Sequence, residues 1–366
     1  MLFRDLKSEI AEIRDEIDGA LARVLNSGNL ILGTELEAFE DELGAYHDGL
    51  HVAGVASGMV GLKLLLQAYG VGPGDSVLVA SNTYIATWLA VSAVGAKVLP
   101  VEPAMTSRNL DASALPEVPP VGTRAILTTH LYGEPCDMVA LRRYADRHGL
   151  LLLVDAAQSL GAEWKGSRSA CMADGAALSF YPTKNLGALG DAGAVISKNP
   201  EIISMVKALR NYGMKKPGIH DLRGENGRME ELHASVLRVK LRYLGERQNK
   251  LRELAGLYIK QLAGFSNIQL PAPSQQVTHA WHLFTILVNE RDLIREKMLQ
   301  AGIQTAVHYP VPPHRTGAYA SEFAWGSFPV ASRISESILS LPLYPSMRDE
   351  DVFHVVTVFK EALASL

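Results

Sequence analysis

Lys184 lies in the stretch FYPTKNLGALGDAG, between Pro182 and a run of glycines, with no carboxylate within six residues of it. A lysine ordinarily lays its stem on the surface and keeps its ammonium in water. Aromatic and turn-forming flanks do the opposite: they desolvate the amine, lower its pKa and leave a nucleophile for a carbonyl group through a Schiff base. Asp155 ends the apolar run LLLLVD. It reads either as the N-cap of a following helix or as a carboxylate that keeps a buried ring nitrogen protonated, as a heterocyclic electron sink requires. Ser57-Gly58-Met59 separates a β-rich run from a helical one, and small residues there expose backbone N–H groups at a helix N-terminus, an anion site. Ser179, at the end of AALSF, adds a hydroxyl to that anion or is simply a strand-end hydroxyl. Tyr84 could cover a ring. Each part is ambiguous alone; together they are the parts of one pyridoxal phosphate site.

The elements that must position these residues follow from periodicity. The β-rich runs HVAGVAS, DSVLVAS, AKVLPVE, RAILTTH, LLLLVDA, AALSFYP and GAVISKN alternate with LKLLLQAYG, IATWLAVSAVG and MVALRRYADRHG, each ending in glycine as helix C-termini do. This is the pattern of an α/β fold, with a mostly parallel seven-stranded sheet covered by helices. Ligands on such sheets bind beyond the strand C-terminal ends. Ser57, Tyr84, Asp155 and Ser179 to Lys184 all fall there. Ile10, Ile13, Ile17, Leu21, Val24 and Leu25 predict one amphipathic helix from about Asp5 to Asn26, and a second follows near Thr34 to Tyr46. A helical stretch runs from Ile202 to Leu262, interrupted by KKPGIHDLRGENGRM. Beyond Gly264 the pattern changes to HLFTILV, a helix at Arg291 to Ala301, and a last helix from Asp349. The expected division is a large domain over residues 1–240 and a smaller C-terminal α/β domain over 241–366.

The chain has 366 residues, 48% hydrophobic and 20% charged, with a net charge of −4. That suffices for a sizeable core and argues against nucleic acid or an anionic membrane as partner. Cys136 and Cys171 have no metal spacing and suggest no disulfide framework, and the N-terminal MLFRDLKSEI lacks an apolar signal core; a cytoplasmic protein is expected. The histidines of HAWH, and the pair His308 and His314, lack nearby carboxylate or thiolate companions, so no metal site is expected.

VDAAQSLGAEWKG, SFYPTKNLGALGDAGAV, LRNYG and GENGRMEELHAS resemble the DegT/StrS-type sugar aminotransferases, a fold-type-I pyridoxal phosphate family. The resemblance runs from SGNLILGTELEAFE at Ser27 to LSLPLYPSM at Leu339. It implies Lys184 as the internal aldimine, Asp155 as partner of the pyridine nitrogen, Gln158 on the phenolic oxygen and Tyr84 on the ring. Ser57, Gly58, Met59 and Ser179 would hold the phosphate, and Asn226 would reach it from the other subunit of a homodimer with composite sites. SNTYIATWLAVSAVGAKVLPVEP, THLYGEP and VHYPVPPH are similar to the subgroup that aminates C3 of dTDP-linked 3-keto-6-deoxyhexoses with L-glutamate. Tyr181, Tyr212, His308 and Tyr309 are the candidates for the sugar and nucleotide. Amination at C4 and a non-catalytic regulatory protein are the alternatives. The chain departs from the subgroup at Val60, where an acidic residue is usual, and at Gly227, where serine or tyrosine is common.

Overall fold

In the computed structural model, which describes residues 1–324 and 326–365, the seven apolar runs become the seven strands of one sheet. They are β1 (His51–Val55), β2 (Ser76–Ala80), β3 (Lys97–Val101), β4 (Thr123–Thr129), β5 (Leu151–Asp155), β6 (Gly175–Ser179) and β7 (Gly193–Ser197). Their order across the sheet is β1-β7-β6-β5-β4-β2-β3, and β7 alone runs against its neighbours.

The strands are apolar almost throughout because both faces are covered. Side chains alternate between the faces along a strand. Leu78, Ile126, Leu152, Val154 and Ile196 enter one core, and Val77, Val79, Leu127, Leu153 and Val195 enter the other.

The chain reaches the sheet through α1 (Leu6–Ala11), α2 (Arg14–Ser27) and α3 (Thr34–Tyr46), and continues through α4 (Gly58–Ala68), α5 (Ile85–Ala93), α6 (Met138–His148), α7 (Pro200–Leu209) and α8 (Glu231–Arg242). Helices α3, α6 and α8 cover the first face, and α4, α5 and α7 cover the second. Trp88 of α5 is fully buried and its Nε1 donates to the Ala80 carbonyl at 2.9 Å, so the ring is desolvated with its one polar atom satisfied. Truncating it to alanine costs about 3–5 kcal/mol.

The single helix expected from about Asp5 to Asn26 is two. At Ile13 the backbone leaves helical geometry, with φ −128° and ψ 26°. Glu9 is buried against Arg4 at 2.8 Å and near Arg247, while Ile13 packs with Ile17, Val236 and Val239. Apolar spacing cannot register a buried ion pair, and here that pair helps fix where α1 ends.

After α8, Tyr243 interrupts the helix and α9 (Leu244–Leu262) leads into a second, antiparallel sheet of β8 (Ile268–Gln269), β9 (Phe284–Val288) and β10 (Ile338–Leu341), in that order. With α9, the helices α10 (Arg291–Gln300) and α12 (Asp349–Ala364) enclose a third core around Tyr258, Phe284 and Phe359, while α11 (Pro329–Ser337) leads into β10. Among the described residues no helix is long and apolar enough to cross a membrane.

Candidate active site

The parallel strands of the large sheet deliver Ser57, Tyr84, Asp155 and Ser179 to one edge. Ser57 is the N-cap of α4, and its hydroxyl accepts from the Val60 N–H at 3.2 Å. Gly58 lies flat against the end of β6: a Cβ there would stand 2.8 Å from the Ser179 Cβ. The other side is equally close, since a Cβ on Gly193 would meet the Ser57 carbonyl carbon at 2.5 Å. Glycine at both positions lets the N-terminal amides of an eleven-residue helix and the Ser179 side chain share one small region. That is a cradle for a dianion, where helix dipole and unsatisfied N–H groups act together. Met59, in the first turn of α4, is 36% exposed.

Between β6 and β7 the chain forms a closed loop. The Lys184 N–H donates to the Tyr181 carbonyl and the Ala188 N–H to the Phe180 carbonyl, both at 2.8 Å. Asn185 fastens the loop to the segment before β9, donating from Nδ2 to the Ala280 carbonyl at 2.7 Å and placing Oδ1 3.1 Å from His282 Nδ1. Lys184 is partly buried in this loop, and that burial lowers its pKa to about 8 against the attraction of Asp155. Tyr181, by contrast, is half exposed.

Asp155 is buried. No helix follows it; its Oδ1 accepts from the Ala157 N–H at 3.1 Å in a local turn, and Oδ2 accepts from the Thr87 hydroxyl at 2.7 Å. Burial raises its pKa, while Thr87, Ala157 and the Lys184 charge pull the other way. A carboxylate so placed is ready for a cationic partner.

Gln158 stands beside it. Its Oε1 accepts from the Tyr132 N–H at 2.7 Å, which leaves Nε2 to donate to the Tyr309 hydroxyl at 2.9 Å. The Tyr309 ring lies 4.9 Å from that of Tyr84, which is itself half exposed. Tyr132 donates its hydroxyl to the His308 carbonyl at 2.7 Å. His308 shares a hydrogen bond with Ser340 at 2.8 Å and stacks on Phe3. Burial, helped by the nearby Lys184 charge, lowers its pKa to about 4, so it is neutral at physiological pH.

Lys184, Asp155, Gln158, Tyr84, His308 and Tyr309 therefore converge with the Ser57–Gly58 cradle and Ser179. Tyr212 and Asn226 sit elsewhere, in the segment joining α7 to α8. The Tyr212 N–H donates to the Glu225 carbonyl at 2.9 Å, the Arg228 guanidinium lies over its ring, and the Asn226 side chain is exposed. That segment borders the cradle from outside, because the Ala56 N–H donates to the Gly227 carbonyl at 2.9 Å.

Thr87 and Asn185 were not legible as site residues, whereas Tyr132, in the run after β4, falls at the strand edge where the sheet rule looks for ligand contacts. Thr87 carries one weak sequence signal, its place one turn after Tyr84 on a helix that starts at the ligand edge.

These residues fit a phosphorylated heterocyclic aldehyde: an anion cradle that a Cβ would fill, a buried carboxylate for a ring nitrogen, and an amine with a lowered pKa between them. The comparisons agree. The model of the DegT/DnrJ/EryC1/StrS aminotransferase family, whose enzymes depend on pyridoxal phosphate, matches residues 11–360. The chain is similar to the dTDP-3-amino-3,4,6-trideoxy-alpha-D-glucose transaminase of Streptomyces venezuelae, at 45% identity over 98% of this chain and 95% of that one. It is similar also to the dTDP-3-amino-3,6-dideoxy-alpha-D-galactopyranose transaminase of Aneurinibacillus thermoaerophilus, at 40% identity over 97% of each. The crystal structure of S. venezuelae DesV in complex with a ketimine intermediate superposes with a TM-score of 0.95 at 44% identity, covering 98% of this chain and 97% of the other. With the site and the fold matched over nearly its whole length, the chain belongs to the DegT/DnrJ/EryC1/StrS aminotransferase family.

Proposed function

We propose that this aminotransferase binds pyridoxal phosphate and moves the amino group of L-glutamate to C3 of a dTDP-linked 3-keto-6-deoxyhexose, giving a 3-amino-3,6-dideoxyhexose. The observation that carries the reading is Lys184, a partly buried amine with a pKa near 8 in the loop after β6, within the field of buried Asp155 at the strand edge. Two relatives named for 3-amino sugars on dTDP support the substrate class. When bound, the cofactor supplies an aldehyde carbon for an amine and a protonated ring that takes up an electron pair.

The chain's own residues do the rest. Lys184 holds the cofactor, and its neutral Nζ takes a proton from the donor's α-carbon and returns it on the other side of the transfer. Asp155 keeps a proton on the ring nitrogen, Gln158 donates to the phenolic oxygen, and Tyr84 covers the ring. Ser57, Gly58, Met59 and Ser179 bind the phosphate. Tyr181, His308 and Tyr309 face the sugar nucleotide, and Tyr212, on the same segment as Asn226, reaches the nucleotide of the partner's site. Glutamate and the keto sugar use one site in turn, which gives ping-pong kinetics.

Asn226 serves the partner's phosphate in a homodimer. Leu30, Ile31, Leu189, Tyr212 and Ile219 are each more than a third exposed, and such apolar surface supports an interface.

The test is a single turnover of the glutamate-loaded enzyme against 3-keto and 4-keto sugars on dTDP and UDP. Fastest reaction with a dTDP-linked 3-keto sugar supports the reading. Preference for a 4-keto sugar or for UDP replaces that part of it, and no turnover with any keto sugar removes it.

A further inference from the structure

On α8, behind the loop that carries Lys184, Lys240 is only 8% exposed. Lysine is rarely buried without a partner. Among the described residues its hydrogen-bond acceptor is the backbone carbonyl of Gly187, 2.7 Å from Nζ. Gly187 closes the loop that carries Lys184. Its own position is tight, since a Cβ there would stand 2.2 Å from the Pro182 carbonyl oxygen. Three backbone carbonyls therefore define the loop: Phe180 and Tyr181 accept from within it, and Gly187 accepts from Lys240. Asn185 fastens the opposite flank toward Ala280 and His282.

The setting of the ammonium is also built. Glu9 attracts it, while Arg4 and Arg247, both paired with Glu9, repel it. Burial holds its pKa down to about 8, so folding places this cation at a penalty. A methionine or leucine would fill the same space without that penalty, but would leave the Gly187 carbonyl without its donor.

We propose that Lys240 is a positioning residue: its ammonium, by holding the Gly187 carbonyl, fixes the loop that presents Lys184 to the cofactor. The inference rests on Lys184 as the cofactor-bearing residue, but the hold on the loop can be read without cofactor.

Lys240→Met removes the donor at similar length, and Lys240→Arg keeps one. In the full-length chain without cofactor, hydrogen exchange of the Lys184 and Ala188 amides is expected to quicken about tenfold in Lys240→Met and to stay near wild type in Lys240→Arg. Amides of α4 and β2 serve as the global control and should not move. In the same preparations pyridoxal phosphate uptake, followed by visible absorbance, should weaken about tenfold in Lys240→Met and recover in Lys240→Arg. Unchanged loop exchange and unchanged affinity in Lys240→Met overturn the inference, as does quickening spread evenly over the whole chain. If Lys240→Met does not fold, Lys240→Gln takes its place, because its amide falls short of the carbonyl; wild-type exchange there overturns the inference equally. Wild-type chain that takes up no pyridoxal phosphate, while its loop still depends on Lys240, would overturn the reading of Lys184 and support the hold on the loop.

Discussion

Thr87 donates its hydroxyl to Oδ2 of Asp155 at 2.7 Å, which makes the first turn of α5 a partner in the charge state of the last residue of β5. Behind it, Thr83 lies 2.9 Å from Thr87 and 2.8 Å from Thr129, oxygen to oxygen, so the hydroxyl is held in place. The bond favours the carboxylate over the acid, against the effect of burial. Thr87→Val keeps the volume and removes the donor, so the Asp155 pKa should rise further. A protonated Asp155 cannot pair with a cationic ring. Cofactor affinity is therefore expected to fall about tenfold, and its rise with pH to move to higher pH. Pyridoxal phosphate titrations from about pH 5 to 8 check both. An unchanged profile would show that Thr87 does not set the charge.

For Lys184, folding lowers the amine pKa from 10.5 to about 8. Above 10.5 neither state holds the proton and the full stability is present; as pH falls from 10.5 to 8 the unfolded chain takes up a proton that the folded amine resists, and that stability is lost. The cofactor-free chain should therefore gain on the order of 3 kcal/mol between pH 8 and 10.5 from this group, the attraction of Asp155 to the ammonium being already part of the lowered pKa. Acylation of Lys184 followed by mass spectrometry across pH gives the direct measurement. Its midpoint should lie near 8, about two units below surface lysines.

The sheet and most of the site were legible in the sequence because both follow from local pattern. Seven apolar runs bounded by turn residues can hardly be other than covered strands, and the edge rule then selects Ser57, Asp155 and Lys184. What escaped is set by long-range partners. The break at Ile13 accompanies a Glu9 whose backbone carbonyl accepts from Arg247, which stands 238 residues further on. Tyr132 joins the site through its own N–H on the Gln158 side chain, and Asn185 through the Ala280 carbonyl, partners that no spacing reveals. Tyr212 shows the converse: a tyrosine in a recognisable motif, placed by the fold in the segment outside the Lys184 cluster.

Arg108, in the loop that follows β3, ties that loop to the second sheet. Only 2% exposed, it donates from Nη1 to the Thr285 carbonyl at 2.9 Å and hydroxyl at 2.8 Å, and from Nη2 to the Gln269 carbonyl at 3.3 Å. Its charge also opposes the effect of burial on Glu134, whose pKa is nevertheless raised to about 7. Arg108→Met leaves three acceptors unmet and should cost about 3 kcal/mol. The sign with pH is definite. A raised carboxyl pKa means stability present below 4.5 and lost as pH rises through 7; without Arg108 the Glu134 pKa climbs further, so the variant's deficit should grow from pH 6 to pH 8. Urea unfolding at the two pH values measures it, and a deficit independent of pH would mean that Arg108 does not act on Glu134.

Val60 and Gly227, the two positions at which the chain departs from the subgroup it resembles, meet in space. A Cβ at 227 would stand 2.9 Å from Val60 Cγ1. Neither side yields easily. A β-branched valine in a helix has essentially one χ1 rotamer. The Gly227 backbone is pinned, donating to the Arg210 carbonyl and accepting from the Ala56 N–H, both at 2.9 Å, and its neighbour Glu225 pairs with Lys63 of α4. Glycine at 227 thus leaves the room that Val60 occupies. Gly227→Ser alone should cost about 1–3 kcal/mol through overpacking beside the Ser57 turn. Val60→Ala alone should cost about 1 kcal/mol. In the double variant the alanine makes room for the serine, so the combined cost should fall short of the sum by about 1 kcal/mol, the coupling expected of residues in contact. A thermodynamic cycle from denaturant midpoints settles it: strict additivity would mean that the turn absorbs the new side chain elsewhere.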